Sequence, residues 1–170
     1  ELNEVVFDKD GFFDTGDVMV MTAGGDLMFA GRSKETLALA GGENIEPVPI
    51  EDKLLASEYI DQVMVVGDDK KTLGALIVPN FEKVRSATGL KDLPTEKWNE
   101  TTAIREIFKK EIHERISSKT GFKNFELIPK NTFYIVPKQF EPGVELTRTY
   151  KLRRTVIKEI FAEQIEGMYR

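Results

Sequence analysis

Cysteine is absent from all 170 residues. That excludes a disulfide framework, a thiolate metal site and a cysteine nucleophile, and it fits a reducing cytosol. His113 is the single histidine, so a His-based triad has one candidate and zinc has almost none. No uninterrupted apolar run approaches the ~20 residues needed to span a bilayer. Basic residues are too few for a phosphate-binding stripe: 24 Lys and Arg stand against 29 Asp and Glu, for a net charge of −5. A nucleic-acid partner is therefore not expected. Internal repeats and low-complexity segments are missing as well. So are an initiating Met and a signal-peptide pattern, and a start at Glu1 is what a piece of a longer protein is expected to show.

What is present has the balance of a folded protein. An apolar fraction of 41% beside 31% charged residues is far from a disordered composition. The length suits one domain, or one domain with part of another. Val18 to Met21 and Leu27 to Ala30 flank Thr22-Ala23-Gly24-Gly25-Asp26, which predicts a β-hairpin. A third short run, Thr36 to Ala40, ends at Gly41-Gly42. Pro47 and Pro49 suit the first turn of a helix with Ile50, Leu54 and Leu55 on one face. Val63 to Val66 and Ala75 to Val78 are continuous apolar runs, the pattern of strands covered on both faces. The polar turn between them predicts an antiparallel pair.

Asn80 can cap a short helix that Thr88-Gly89 ends, and Lys91 to Asn99 reads as a polar loop containing Trp98. Ile104, Ile107, Phe108, Ile112 and Ile116 have a helical period, and Thr132 to Val136 reads as a strand. A final helix carries Val156, Ile157, Ile160, Phe161, Ile165 and Met168 along one side. The fold class is α+β: a small antiparallel or mixed sheet covered by amphipathic helices, with a hairpin in front.

Three stretches hold residues suited to chemistry. Gly11-Phe12-Phe13-Asp14-Thr15-Gly16-Asp17 precedes the first strand; alone, it is a turn. Gly31-Arg32-Ser33-Lys34-Glu35 is followed by Gly41-Gly42-Glu43-Asn44, which alone is a strand-to-helix connection. Leu146-Thr147-Arg148-Thr149-Tyr150-Lys151-Leu152-Arg153-Arg154 comes just before the last helix, where a lone lysine is ordinarily a surface residue.

Taken together and in order, the three resemble the motifs of adenylate-forming enzymes: acyl-CoA synthetases, luciferases and peptide-synthetase adenylation domains. The last stretch is most similar to the Leu-Thr-x-Thr-x-Lys-x-x-Arg motif of long-chain acyl-CoA synthetases; shorter-chain relatives read Pro-Lys-Thr-x-Ser-Gly-Lys. The resemblance implies that Asp17 binds the ribose diol of ATP, since a carboxylate offers an acceptor to each hydroxyl. It implies that Arg32 reaches the ribose with its planar fork of donors. Gly31 to Lys34 would be a hinge, with Gly31 where most members have an aspartate and with glycine's conformational freedom in its place. Gly41, Gly42 and Glu43 would border the channel for CoA. Lys151 would be the adenylation lysine, its ammonium set between the attacking carboxylate and the α-phosphate.

The same resemblance implies a division of the chain: residues 1–30 as the tail of a large N-terminal domain, 31–34 as the hinge, 35–170 as a mobile lid. ATP and CoA are the implied substrates, together with a fatty acid. Nothing here resembles the phosphate-cradling loop, and Mg²⁺ would be held through residues absent here. The piece alone is therefore expected to be inactive, with its own N-terminal domain as partner. A cytoplasmic location is expected, with peripheral association at the inner membrane face left open. A ligase that delivers the acyl group to acyl-carrier protein, or a non-catalytic binding module keeping relic motifs, remains an alternative. Arg153 and Arg154 read as solvated or surface-pairing residues, His113 as a helix-edge residue, and Glu51-Asp52 and Asp68-Asp69 as lacking metal-ligand spacing.

Overall fold

The computed structural model describes residues 7–170, so the first six residues of the segment assigned to the large domain lie outside it. Strands β1 (Asp17–Met21) and β2 (Leu27–Arg32) form an antiparallel hairpin. Its turn closes through Thr22 N–H donating to the Asp26 carbonyl at 2.8 Å, with Gly25 at φ 88°. Only a residue without Cβ adopts that conformation freely. A two-residue ribbon follows, β3 (Leu37–Ala38) against β4 (Asn44–Ile45), and leads into α1 (Pro47–Leu55), whose prolines occupy its first positions.

The central sheet has three strands. β5 (Ile60–Val66) pairs antiparallel with β6 (Gly74–Pro79), and β6 pairs parallel with β7 (Phe133–Ile135). A parallel neighbour requires a long crossover. Here it holds α2 (Phe81–Thr88), a 3₁₀ turn at Thr95–Glu100 and α3 (Thr102–Arg115). Asn80 caps α2 by accepting from Lys83 N–H at 3.1 Å, and Gly89 ends it in the left-handed conformation. The chain closes with α4 (Arg154–Ile160) and α5 (Ala162–Gly167).

Alternation along the strands feeds two cores. Val63, Val65, Ala75 and Ile77 face α1 to α3 and meet Ile50, Leu54, Val84, Ile104, Phe108 and Ile112. Met64, Val66, Leu76 and Val78 face the other way and pack with Val136, Phe140, Leu146, Ile157 and Phe161. Covering on both faces is why these strands carry no polar alternation.

Several local expectations need correction. Residues 91–99 are not simply a polar loop: Trp98 lies in the 3₁₀ turn, is 0% exposed, and donates its indole N–H to the Leu93 carbonyl at 3.4 Å. A large ring with one donor is well placed where a backbone carbonyl meets it. Leu55 is exposed because it lies a third of a turn round the helix from buried Leu54. The last helix is two, broken at Phe161, and Ile160 points to solvent while Ile157 and Phe161 form the seam. His113 is exposed, as its position on α3 suggested.

Candidate functional site

The open end of the hairpin brings the first two motifs together. Asp17 and Arg32 are register partners across β1 and β2, and Arg32 Nε lies 3.3 Å from Asp17 Oδ1. The connection upstream is fixed by local bonds: Gly16 N–H donates to Asp14 Oδ1 at 2.8 Å and Asp17 N–H to Thr15 Oγ1 at 3.1 Å. Ser33 N–H then donates to the Gly16 carbonyl at 2.8 Å, closing the two motifs against each other. The result is a half-exposed carboxylate beside a guanidinium, a pair able to meet a polyol with both acceptors and donors.

Immediately after Arg32 the chain turns tightly. The Arg32 carbonyl accepts from Glu35 N–H at 2.8 Å and Thr36 N–H at 3.2 Å, and Lys34 is exposed at the turn. Gly31 is buried, and a Cβ built there would come within 2.2 Å of Glu46 Oε2. The Glu46 carboxylate thus fills the space a side chain at position 31 would need. It is held there by Thr36 Oγ1, which donates to Glu46 Oε1 at 2.6 Å. Gly42 has φ 91°, with open space where a Cβ would stand, and Glu43 is half-buried beside it. The glycine loop is pinned to the β5–β6 turn, since Ala40 N–H donates to the Lys70 carbonyl and Asp69 N–H to the Ala38 carbonyl, both at 2.9 Å.

Thr147 organises the loop that presents Lys151. Its N–H donates to the Lys151 carbonyl at 2.8 Å and its carbonyl accepts from Tyr150 N–H at 3.0 Å. Its hydroxyl accepts from Lys151 N–H at 3.1 Å and Thr149 N–H at 3.3 Å. Buried Leu146 bridges to Leu152 and anchors the frame in the second core. Lys151 is exposed, and among the described residues its ammonium has neither a hydrogen-bond nor an ion-pair partner. Tyr150 sits at φ 60°, a left-handed conformation that costs an L residue about 1–2 kcal/mol.

Arg154 overturns the expectation of a surface residue. Its side chain is 11% exposed; Nη1 and Nη2 donate to the two oxygens of Glu51 at 2.8 and 2.6 Å, and Nε donates to Glu35 at 3.4 Å. Burial opposes its charge, but the two carboxylates more than compensate and hold the guanidinium more firmly protonated than usual. Glu51 is itself buried in α1 and accepts from Val65 N–H at 2.8 Å. A bidentate guanidinium therefore fastens the start of α4, the turn after Arg32 and α1 at one point. Arg153 is not a free cation either: its Nη1 donates to the carbonyls of Gly143 and Val144 at 2.9 and 2.8 Å. The sequence held one unused signal, the final Arg of the third motif, placed where a conserved-type pattern ends on a helix start.

No hydrogen bond or ion pair among the described residues joins Lys151 to Asp17, Arg32 or the Gly41-Gly42 loop. Among the described residues no group of three or more His, Asp or Glu could hold a metal ion. No helix among them is long and apolar enough to cross a membrane.

Comparison with known proteins defines the relationship. Residues 34–170 match the family described as the AMP-binding enzyme C-terminal domain. The chain is 32% identical over 178 residues to a probable acyl-activating enzyme 16, chloroplastic, of Arabidopsis thaliana, covering 97% of this chain and 24% of that protein. It is 34% identical over 169 residues to the long-chain-fatty-acid–CoA ligase FadD15 of Mycobacterium tuberculosis, covering 94% and 27%. A long-chain-fatty-acid–[acyl-carrier-protein] ligase of Arabidopsis thaliana, AEE15, is 30% identical over 176 residues, covering 96% and 22%. Among solved structures, the adenylation domain of the carboxylate reductase from Mycobacterium chelonae superposes with a TM-score of 0.81 at 25% identity, covering 97% of this chain and 24% of that one. The chain thus spans about a quarter of the length of the relatives it matches. It belongs to the AMP-binding enzyme C-terminal domain family.

Proposed function

We propose that, on the premise of that membership, the chain is the lid of an AMP-forming fatty-acid–CoA ligase and works together with a large upstream domain. In this reading, residues 1–30 end the large domain, 31–34 are the hinge, and 35–170 the moving lid. The start of the family match at residue 34 and the apolar exposure of the hairpin support that division. The substrates are a fatty acid, ATP and CoA, with Mg²⁺ accompanying the nucleotide through residues outside this chain. A cytoplasmic location is part of the reading.

The reaction has two steps. The fatty carboxylate forms a bond to the α-phosphorus while the bond to the β-phosphate oxygen breaks, and pyrophosphate leaves. The CoA thiol then forms a bond to the acyl carbonyl carbon, giving up its proton as AMP leaves. Asp17 and Arg32 hold the ribose, and Lys151 bridges the two anions that approach in the first step. Turning about Gly31 to Lys34 withdraws Lys151 and brings Gly41, Gly42 and Glu43 to the CoA channel, a hinge movement.

The observation that carries this reading is the Thr147-locked loop that exposes Lys151, whose ammonium has no partner among the described residues. Its test is Lys151→Ala in the full-length protein, with the half-reactions measured apart. Adenylate formation is expected to fall ~10²–10³-fold, the loss typical of a donor aimed at developing charge. Thioester formation from supplied acyl-adenylate should persist, and stability should change by less than ~0.5 kcal/mol. Unimpaired adenylation would return Lys151 to an ordinary surface residue. Delivery to acyl-carrier protein is the second reading, favoured by the name of AEE15 among the relatives. Offering both acceptors to the full-length protein separates the two.

A further inference from the structure

Tyr150 is conformationally misplaced for its type. Glycine or asparagine would occupy φ 60° more cheaply, and an aromatic residue there is uncommon enough to need a reason. Its ring supplies no local one. It is 74% exposed, and among the described residues its hydroxyl has no hydrogen-bond partner and its ring no aromatic neighbour. Fluctuation of the loop does not relieve the strain, because Thr147 bonds the backbone of residues 149, 150 and 151 and holds the turn closed. A rigid frame thus displays an aromatic surface, at a cost, on the residue next in sequence to Lys151, whose ammonium has no partner among the described residues. The exposed guanidinium of Arg148 lies on the same short loop. An exposed ring sharing one short loop with two exposed cationic residues suits a ligand with an anionic centre and a hydrocarbon or ring next to it. Strain of this kind is retained where the side chain is used.

We propose that Tyr150 is a substrate-contacting residue of the adenylation step, its ring laid against the acyl-adenylate whose phosphate and carboxyl oxygens Lys151 grips. The inference rests on the assignment of Lys151 above. It adds that the lid supplies an apolar contact as well as a charge, made only while the lid is in its adenylating orientation.

The test uses the full-length protein with Tyr150→Gly, Tyr150→Phe and Lys151→Ala side by side. Tyr150→Gly removes the ring and relieves the backbone. It is expected to leave the unfolding midpoint level or higher while kcat/KM for pyrophosphate release with the fatty acid falls about tenfold. Tyr150→Phe keeps the ring and should match the parent. Thioester formation from supplied acyl-adenylate should be untouched in both. Adenylation by Tyr150→Gly at the parental rate overturns the proposal, as does equal loss of both half-reactions or a Phe variant as impaired as the Gly variant. Lys151→Ala separates the two failures. If it abolishes adenylation while Tyr150→Gly does not, only the ring contact is wrong; if it spares adenylation, the assignment of the loop itself is wrong.

Discussion

In the hairpin, Met21 and Leu27 are 70% and 61% exposed, and Met28 and Phe29 also face solvent; in β6, Leu76, Ile77 and Val78 are covered completely. The residue types are alike, and only the presence of something to pack against differs. The body from β3 onward closes two cores around one sheet. Among the described residues the hairpin is a two-stranded ribbon with an apolar surface and no third strand, an arrangement marginal by itself in water. Leu55, Val144, Tyr150 and Ile160 are exposed singly elsewhere, but only at the hairpin and just before it do large exposed apolar residues follow one another along the described chain, and a contiguous apolar patch is the kind of surface that a partner covers.

The contrast can be broken hardest at Arg154. Arg154→Met leaves Glu51 buried without its cation, so the body should lose about 3–5 kcal/mol. Denaturant unfolding would measure it, and a loss under 1 kcal/mol would mean the cluster is not a fastening at all. Leu27→Ala sharpens the comparison from the other side. In this chain the change should alter stability by less than ~0.5 kcal/mol. In the full-length protein it should cost about 2–5 kcal/mol, the price of truncating a core leucine. Equal small effects in both settings would leave the hairpin uncovered in the whole protein too.

The junction between the regions gives a smaller effect. Gly31→Asp places a Cβ and a carboxylate where Glu46 already lies, at an expected cost of about 1–3 kcal/mol. Combined with Glu46→Ala the cost should shrink, because the two changes share one space; strict additivity would show that Glu46 is not the obstruction. The smallest effect concerns pH. Glu145 is buried beside the Lys151 loop. Burial alone would raise its pKa, but N–H donors from Glu141 and its own backbone, with Lys138, hold it below the usual carboxylate range. A depressed pKa means stability present above the ordinary value of ~4.3 and lost as pH falls through the folded one. The gap in unfolding midpoint between the parent and Glu145→Gln should therefore be open at neutral pH and close in acid. A gap independent of pH would remove the carboxylate from the account.

Where periodicity or a cap decides the outcome, the sequence was readable. Val63 to Val66 and Ala75 to Val78 are buried on both faces, Asn80 and Gly89 bound their helix, and Val18 to Met21 pairs with the run from Leu27 as a hairpin. What escaped depends on partners distant along the chain. Trp98 looked local because its polar neighbours hide the core beneath it. Arg154 looked solvated because Glu51 lies 103 residues away. The left-handed backbone at Tyr150 carries no signal in a residue type that ordinarily avoids it. The Glu46 carboxylate over Gly31 is likewise a fact of packing, invisible in the spacing of the two residues.

The parallel pairing of β6 with β7 sets an order of assembly. β5 and β6 are joined by a short turn and can zip as soon as both exist, whereas β7 must wait for the whole helical crossover between Pro79 and Phe133. Pairings so far apart in sequence carry a loop-closure cost before they return any contact, and they form slowly. Leu146 packs in the core on the far face of that sheet, so the Lys151 loop, closed by its own local bonds, is anchored to the body only once that core has formed. A growing chain would therefore pair β5 with β6 first, complete its sheet next, and anchor the Lys151 loop last.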